Sequence, residues 1–156
     1  MRSPFTTAIS PFAAGVVVAI AFAANAAVLS AQEKELRWEL APAAFPPGAK
    51  MAVERGNPMK AGEFVVRFSF PDGYQIPPHF HPTDEHLTVL NGTLLAGMGD
   101  KLDMQMASPL AERDTITMPA QMHHFAIARG ETMVSVRSQG PFKMTYVNPA
   151  DMPKKP

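Results

Sequence analysis

The stretch Gly73-Tyr74-Gln75-Ile76-Pro77-Pro78-His79-Phe80-His81-Pro82-Thr83-Asp84-Glu85-His86-Leu87-Thr88-Val89-Leu90-Asn91-Gly92 decides the fold. On an extended strand His79 and His81 project to one face, because strand side chains alternate with period two. Glu85, past the Pro82-Thr83-Asp84 turn, can return to that face, while His86 falls on the other. Neutral imidazoles joined by one carboxylate form the donor set that a borderline divalent cation takes. The pattern predicts a metal site on the wall of a β-barrel. Asn91-Gly92, between Leu87–Leu90 and Thr93–Ala96, reads as a hairpin turn.

Working outward, short alternating segments are separated by turn residues. Phe64, Val66, Phe68 and Phe70 alternate with Val65, Arg67 and Ser69, the period-two signature of a half-buried strand. Leu36–Leu40, Met51–Arg55, Tyr74–Ile76, Thr115–Met118, Phe125–Ala128, Met133–Arg137 and Phe142–Val147 complete a set of about ten strands. Arg129-Gly130-Glu131 reads as a charged hairpin turn. Only Lys101–Leu110 reads as helical, limited by Pro109. The 16 prolines and 10 glycines fit many turns rather than long helices. The predicted class is all-β, a sandwich or barrel.

The first residues read as an address rather than as fold. Arg2 precedes an apolar run from Pro11 to about Ala24, and Ala24-Asn25-Ala26 fits a small-residue cleavage site. The expectation is a signal peptide over 1–26, cleaved somewhere in 26–31, and a periplasmic or secreted protein. The run is shorter than the ~20 apolar residues of a spanning helix, so no membrane association is expected after cleavage. Next come an N-terminal strand and Pro-rich arm at 27–48, a barrel at 49–151 and a tail at 152–156. The chain has no cysteine, so an exported domain must rely on packing, with or without a metal, rather than on disulfides. Its formal charge is zero and it carries no basic stripe, which argues against nucleic acid as a partner.

A further imidazole stands forty residues on, at His123-His124, after the turn Pro119–Met122. These two cannot both point inward on a regular strand. Ala126 and Ala128 share the parity of His124 and would leave room for a ligand, unless Phe64, Phe68 and Met144 fill it. Tyr74 and Tyr146 could hydrogen-bond a ligand, although a half-buried aromatic with a wet hydroxyl is the commoner role. Asp84 could orient a histidine from outside the ligand shell, although an exposed turn aspartate is the commoner role. Met104-Gln105-Met106 could hold copper(I), although thioethers more commonly fill a core.

At these residues the sequence resembles the cupin superfamily. Gly73, His79, His81, Glu85 and Gly92 meet every specified position and spacing of that family's first motif. In the second motif Pro119 and His124 keep their places, but Arg113, Gln121 and Ala128 stand where Gly, Gly and Asn are usual. The runs Tyr74–His86 and Gly140–Asp151 are similar to small bacterial single-domain cupins, over roughly residues 35–151. The resemblance implies a double-stranded β-helix, or jelly-roll barrel, as a single domain. It implies His79, His81, Glu85 and His124 as ligands of one divalent ion among manganese, iron, zinc, nickel and copper.

An open coordination position would then take a small-molecule ligand or substrate, with oxygenase-type or Lewis-acid chemistry. The alternative is a periplasmic binding or sensing module with a structural metal, since no separate base, nucleophile or cofactor fingerprint is visible. A homodimer is one arrangement that cupins use. The Leu36–Gly48 arm could reach a second copy or cover its own barrel edge.

Overall fold

A computed structural model describes residues 36–154, so the leader expected at 1–26 lies outside the described residues. The chain runs through β1 (Glu39–Leu40), β2 (Lys50–Arg55), β3 (Gly62–Phe70), β4 (Gln75–Phe80) and β5 (Glu85–Met98). It continues through β6 (Ala107–Leu110), β7 (Thr115–Met118), β8 (His124–Gly140) and β9 (Thr145–Tyr146). Among the described residues the only helical turns are two 3-10 turns, Met104–Met106 and Pro149–Asp151. No helix there is long and apolar enough to cross a membrane. The nine strands form one curled antiparallel sheet: the all-β class is that expected from the alternation, and the jelly roll is that implied by the resemblance.

β8 is the central strand. Along one edge it pairs with β3, from Gly62↔Gly140 to Phe70↔Thr132, and then with β4, ending at His79↔His124. Along its other edge it pairs with β5 over nearly its whole length, from His86↔Arg137 to Met98↔His124. β5 also pairs with β6 and β7. Edge strands are short, and β6 carries Pro109, a residue tolerated where no ladder donor is needed.

Two expected hairpins are absent. Asn91-Gly92 and Arg129-Gly130-Glu131 lie inside β5 and β8, where the register between the two strands shifts. Gly92 has φ 80°, and a Cβ there would strike the Glu131 carbonyl. The left-handed residues that favour a tight turn serve here as a bulge. The expected helix at Lys101–Leu110 is also absent. Asp103 accepts a hydrogen bond from the Gln105 amide (2.9 Å) and caps a single 3-10 turn, after which Ala107–Leu110 joins β5 as a strand. Met104 and Met106 are 52% and 62% exposed, so they do not fill a core.

The core lies inside the curl. Phe64, Val66, Phe68 and Phe70 of β3 are all buried, as their alternation requires. Each contributes about 1.5–3 kcal/mol of transfer free energy. Val136 and Val134 of β8 pair directly with Val66 and Phe68, and Leu87 and Val89 of β5 pair with those valines, so all join the same cluster. The Pro-rich segment 41–48 folds back over its own barrel and inserts Phe45 into this core. Ala41 and Ala49 close its base through a backbone hydrogen bond of 3.0 Å.

Candidate metal centre

Pro77 and Pro78 hold the approach to His79 extended and contribute no ladder donors. The β4–β8 register accordingly shifts between Ile76 and His79, which brings His79 directly opposite His124. Residues directly opposite on antiparallel strands share a face. Their rings lie 4.3 Å apart between centroids, with His81 at 5.0 Å from His79 and 5.3 Å from His124. After the turn, β5 begins at Glu85, and Glu85, Leu87 and Val89 point inward as their parity predicts.

The turn is fixed from outside. Asp84 Oδ1 accepts from the Ala120 amide (2.7 Å), and the Asp84 carbonyl accepts from Ser138 Oγ (2.6 Å). Asp84 therefore shapes the loop and orients no histidine.

The four inward residues are buried to 7% exposure or less. Each imidazole presents Nδ1 to a backbone carbonyl: His79 to Pro77 (2.8 Å), His81 to Lys143 (2.7 Å) and His124 to Met122 (2.9 Å). A carbonyl can only accept, so each Nδ1 carries a proton, and Nε2 is the ring nitrogen left to face the interior. Nε2 of His81 and of His124 are buried with no hydrogen-bond partner. A buried polar atom left so costs about 1–3 kcal/mol. Glu85 Oε2 lies 3.5 Å from His81 Nε2 and 3.4 Å from His124 Nε2. Neighbouring ligands on a cation with ~2.1 Å bonds are separated by about 3.0–3.4 Å. One ligand atom from each of the three histidines falls within 4.8 Å of the others, so this group could hold a metal ion.

The electrostatics suit a cation. Burial, then repulsion from His124 and His81, lowers His79 to about 3 and keeps it neutral. Burial alone would raise the Glu85 carboxyl, but the imidazoles around it hold it at about 2. The arrangement sets a neutral His79 and the Nε2 atoms of His81 and His124 around one carboxylate held ionised.

The remaining space is small. These four residues open onto a cavity of about 30 Å³ with largely apolar walls, including Phe45, Phe68, Leu87, Leu94, Ala126 and Phe142. That is room for one or two water molecules. Ala126 lines it as its parity predicts, yet the expected ligand space is filled by aromatic rings. Phe142 stacks on His81 at 5.0 Å and on Phe45 at 6.3 Å, and Phe45 meets Phe68 at 4.7 Å.

The other candidates stand elsewhere. His86 turns outward to Thr117 Oγ1 (2.9 Å), and His123 turns outward to Asp100 (2.6 Å). Tyr74 and Tyr146 do not face the cavity with their hydroxyls: they donate to the carbonyls of Pro46 (2.6 Å) and Ala44 (2.7 Å). Burial raises both phenols, Tyr146 to about 12. Phe45, Phe142 and the three orienting carbonyls escape a reading of the sequence. A lone phenylalanine between prolines is the one signal it offers for them.

No profile of a known protein family matches the sequence, and no curated protein sequence matches it. Solved structures do match. The polyketide cyclase RemF from Streptomyces resistomycificus has a TM-score of 0.64 at 15% identity, covering 77% of this chain and 85% of that one. A protein provisionally assigned as an acetylacetone dioxygenase, from Methylibium petroleiphilum, has a TM-score of 0.60 at 16% identity, covering 96% and 91%. An RmlC-like cupin from Shewanella frigidimarina has a TM-score of 0.55 at 16% identity, covering 68% and 85%. What this chain shares with them is the curled antiparallel jelly roll, and its fold is that of the cupin superfamily.

Proposed function

We propose that the chain is an exported metal-binding cupin in which His79, His81, Glu85 and His124 hold one divalent cation and leave a coordination position for a small molecule. The observation that carries this is the pair of buried, partnerless Nε2 atoms aimed at one carboxylate. A bound cation would supply Lewis acidity, and a redox-active one would also supply electron transfer. The donor set suits manganese, iron, zinc, nickel or copper without choosing among them. The protein's own part is to fix three tautomers through backbone carbonyls, keep Glu85 ionised and exclude bulk water with phenylalanine walls. Similar folds carry a cyclase and a dioxygenase by name, so the fold alone does not select a reaction.

The small cavity favours a second reading, a binding or sensing module whose metal is structural and turns nothing over. Oxygen uptake or product formation with catechol, flavonol or sugar panels separates the two. Elemental analysis of protein purified without chelator or affinity metal tests both. The expected result is about one ion per chain, absent from His79→Ala and from His124→Ala. A stoichiometry unchanged in either variant rejects the site. Export rests on the apolar run ending at Ala24-Asn25-Ala26, and the mass of the secreted chain's N-terminal peptide tests it.

A further inference from the structure

The two residues that flank Phe45 are the two whose carbonyls the buried tyrosines hold. Tyr146 donates to the carbonyl of Ala44 and Tyr74 to that of Pro46. Phe45 itself is only 7% exposed, and its amide donates to the Pro42 carbonyl (2.8 Å), which tightens the loop into a turn. Its ring is part of the wall of the cavity that holds His79, His81, Glu85 and His124. Through Phe142 the stack continues onto His81, a proposed ligand. A surface segment with three prolines would not need a pin on each side of one ring unless that ring's position mattered.

We propose that Phe45 sets the size of ligand that reaches the metal, and that Tyr74 and Tyr146 act as positioning residues that pin it in place. The inference rests on the metal reading above. With Phe45 seated, the cavity of about 30 Å³ admits ligands of water, dioxygen or azide size. A planar ring the size of imidazole or catechol enters only when the 41–48 segment lifts. The apparent affinity for such a ring is then reduced by the fraction of molecules that are open. Two hydrogen bonds together favour the seated segment by about tenfold or more.

The test is the visible absorption of the full mature protein loaded with cobalt(II), titrated with azide and with imidazole. Azide should bind the unsubstituted protein and Phe45→Ala with affinities within about threefold of each other, while imidazole binds Phe45→Ala at least about tenfold more tightly. The double variant Tyr74→Phe, Tyr146→Phe keeps both rings and removes both pins. It should bind imidazole more tightly than the unsubstituted protein, at unchanged cobalt stoichiometry, and it decides the matter where Phe45→Ala does not fold. Equal imidazole affinity across the folded variants overturns the size selection and leaves the metal site standing. Failure of the unsubstituted protein to take up cobalt overturns the metal site, and the size selection with it.

Discussion

Four positions of the two sequence motifs adopt the left-handed backbone, and the motifs fill them differently. In the first motif Gly73 (φ 73°) and Gly92 (φ 80°) use the residue suited to it. In the second, Arg113 (φ 75°) and Gln121 (φ 65°) hold the same conformation with side chains attached. Both make their backbone contacts regardless: the Arg113 amide donates to the Val89 carbonyl (2.8 Å) and the Gln121 amide to the His81 carbonyl (2.8 Å). The second of these ties the loop before His124 to the loop that carries His81. The second motif lacks its glycines and keeps its geometry, so its departures from the pattern do not displace His124.

The largest expected effect tests whether the weaker motif contributes equally. His124→Ala should weaken metal binding as much as His81→Ala does, each beyond the 10- to 100-fold that loss of an outer partner costs. His123→Ala and His86→Ala, which turn outward, should change affinity by less than about threefold. Competition against a chromogenic chelator measures all four. A His124 variant that binds like the unsubstituted protein would reduce the second motif to scaffold.

Acid separates the contributions next. In metal-free protein, His79 at about 3 lies below its ordinary 6.5, so the unfolded chain binds the proton first. Stability is therefore lost as pH falls from about 6.5 towards 3, at up to about 1.4 kcal/mol per pH unit. Glu85 at about 2 lies below its ordinary 4.5, and its contribution is lost only as pH falls below about 4.5. Urea unfolding at pH 7, 5.5 and 4 should show the first loss in the unsubstituted protein but not in His79→Gln. An identical decline between pH 7 and 5.5 in both proteins would contradict the assignment.

The two glycines of the first motif should differ from each other. A Cβ at Gly73 meets nothing within 4 Å, so Gly73→Ala should cost only the left-handed penalty, about 1 kcal/mol. A Cβ at Gly92 meets the Glu131 carbonyl and Thr132, so Gly92→Ala should cost a further ~1–3 kcal/mol of overpacking. Equal urea midpoints for the two variants would show that the β5 bulge yields freely.

How much of this is legible follows from which physical signal each feature leaves. The alternation of Phe64 to Phe70 and the shared face of His79, His81 and Glu85 are written in period two. Asn91-Gly92 and Gly130 read as hairpins because a hairpin and a bulge demand the same left-handed residues. Only the partner strand distinguishes them, and that pairing is long-range. That Tyr74 and Tyr146 bond backbone carbonyls rather than water or a ligand is not legible, because a hydroxyl's partner is invisible in sequence, as are the carbonyls of Pro77, Met122 and Lys143. Every residue carries a carbonyl, so composition cannot single one out.

The smallest effect puts glycine back where the second motif lacks it. A non-glycine residue in the left-handed region bears roughly 1–2 kcal/mol of strain. Glycine removes that strain but costs about 0.4–1 kcal/mol through the added freedom of the unfolded chain. Arg113→Gly and Gln121→Gly should therefore each stabilise the fold by about 0.5–1 kcal/mol, as a raised urea midpoint at constant slope. Metal affinity should stay unchanged, because the backbone is already in place. If Gln121→Gly also tightened metal binding, the side chain would be distorting the His81 loop, and the geometry of the two motifs would no longer be equivalent. If both variants lost stability, the side chains of Arg113 and Gln121 would be contributing more through their contacts than the left-handed backbone costs.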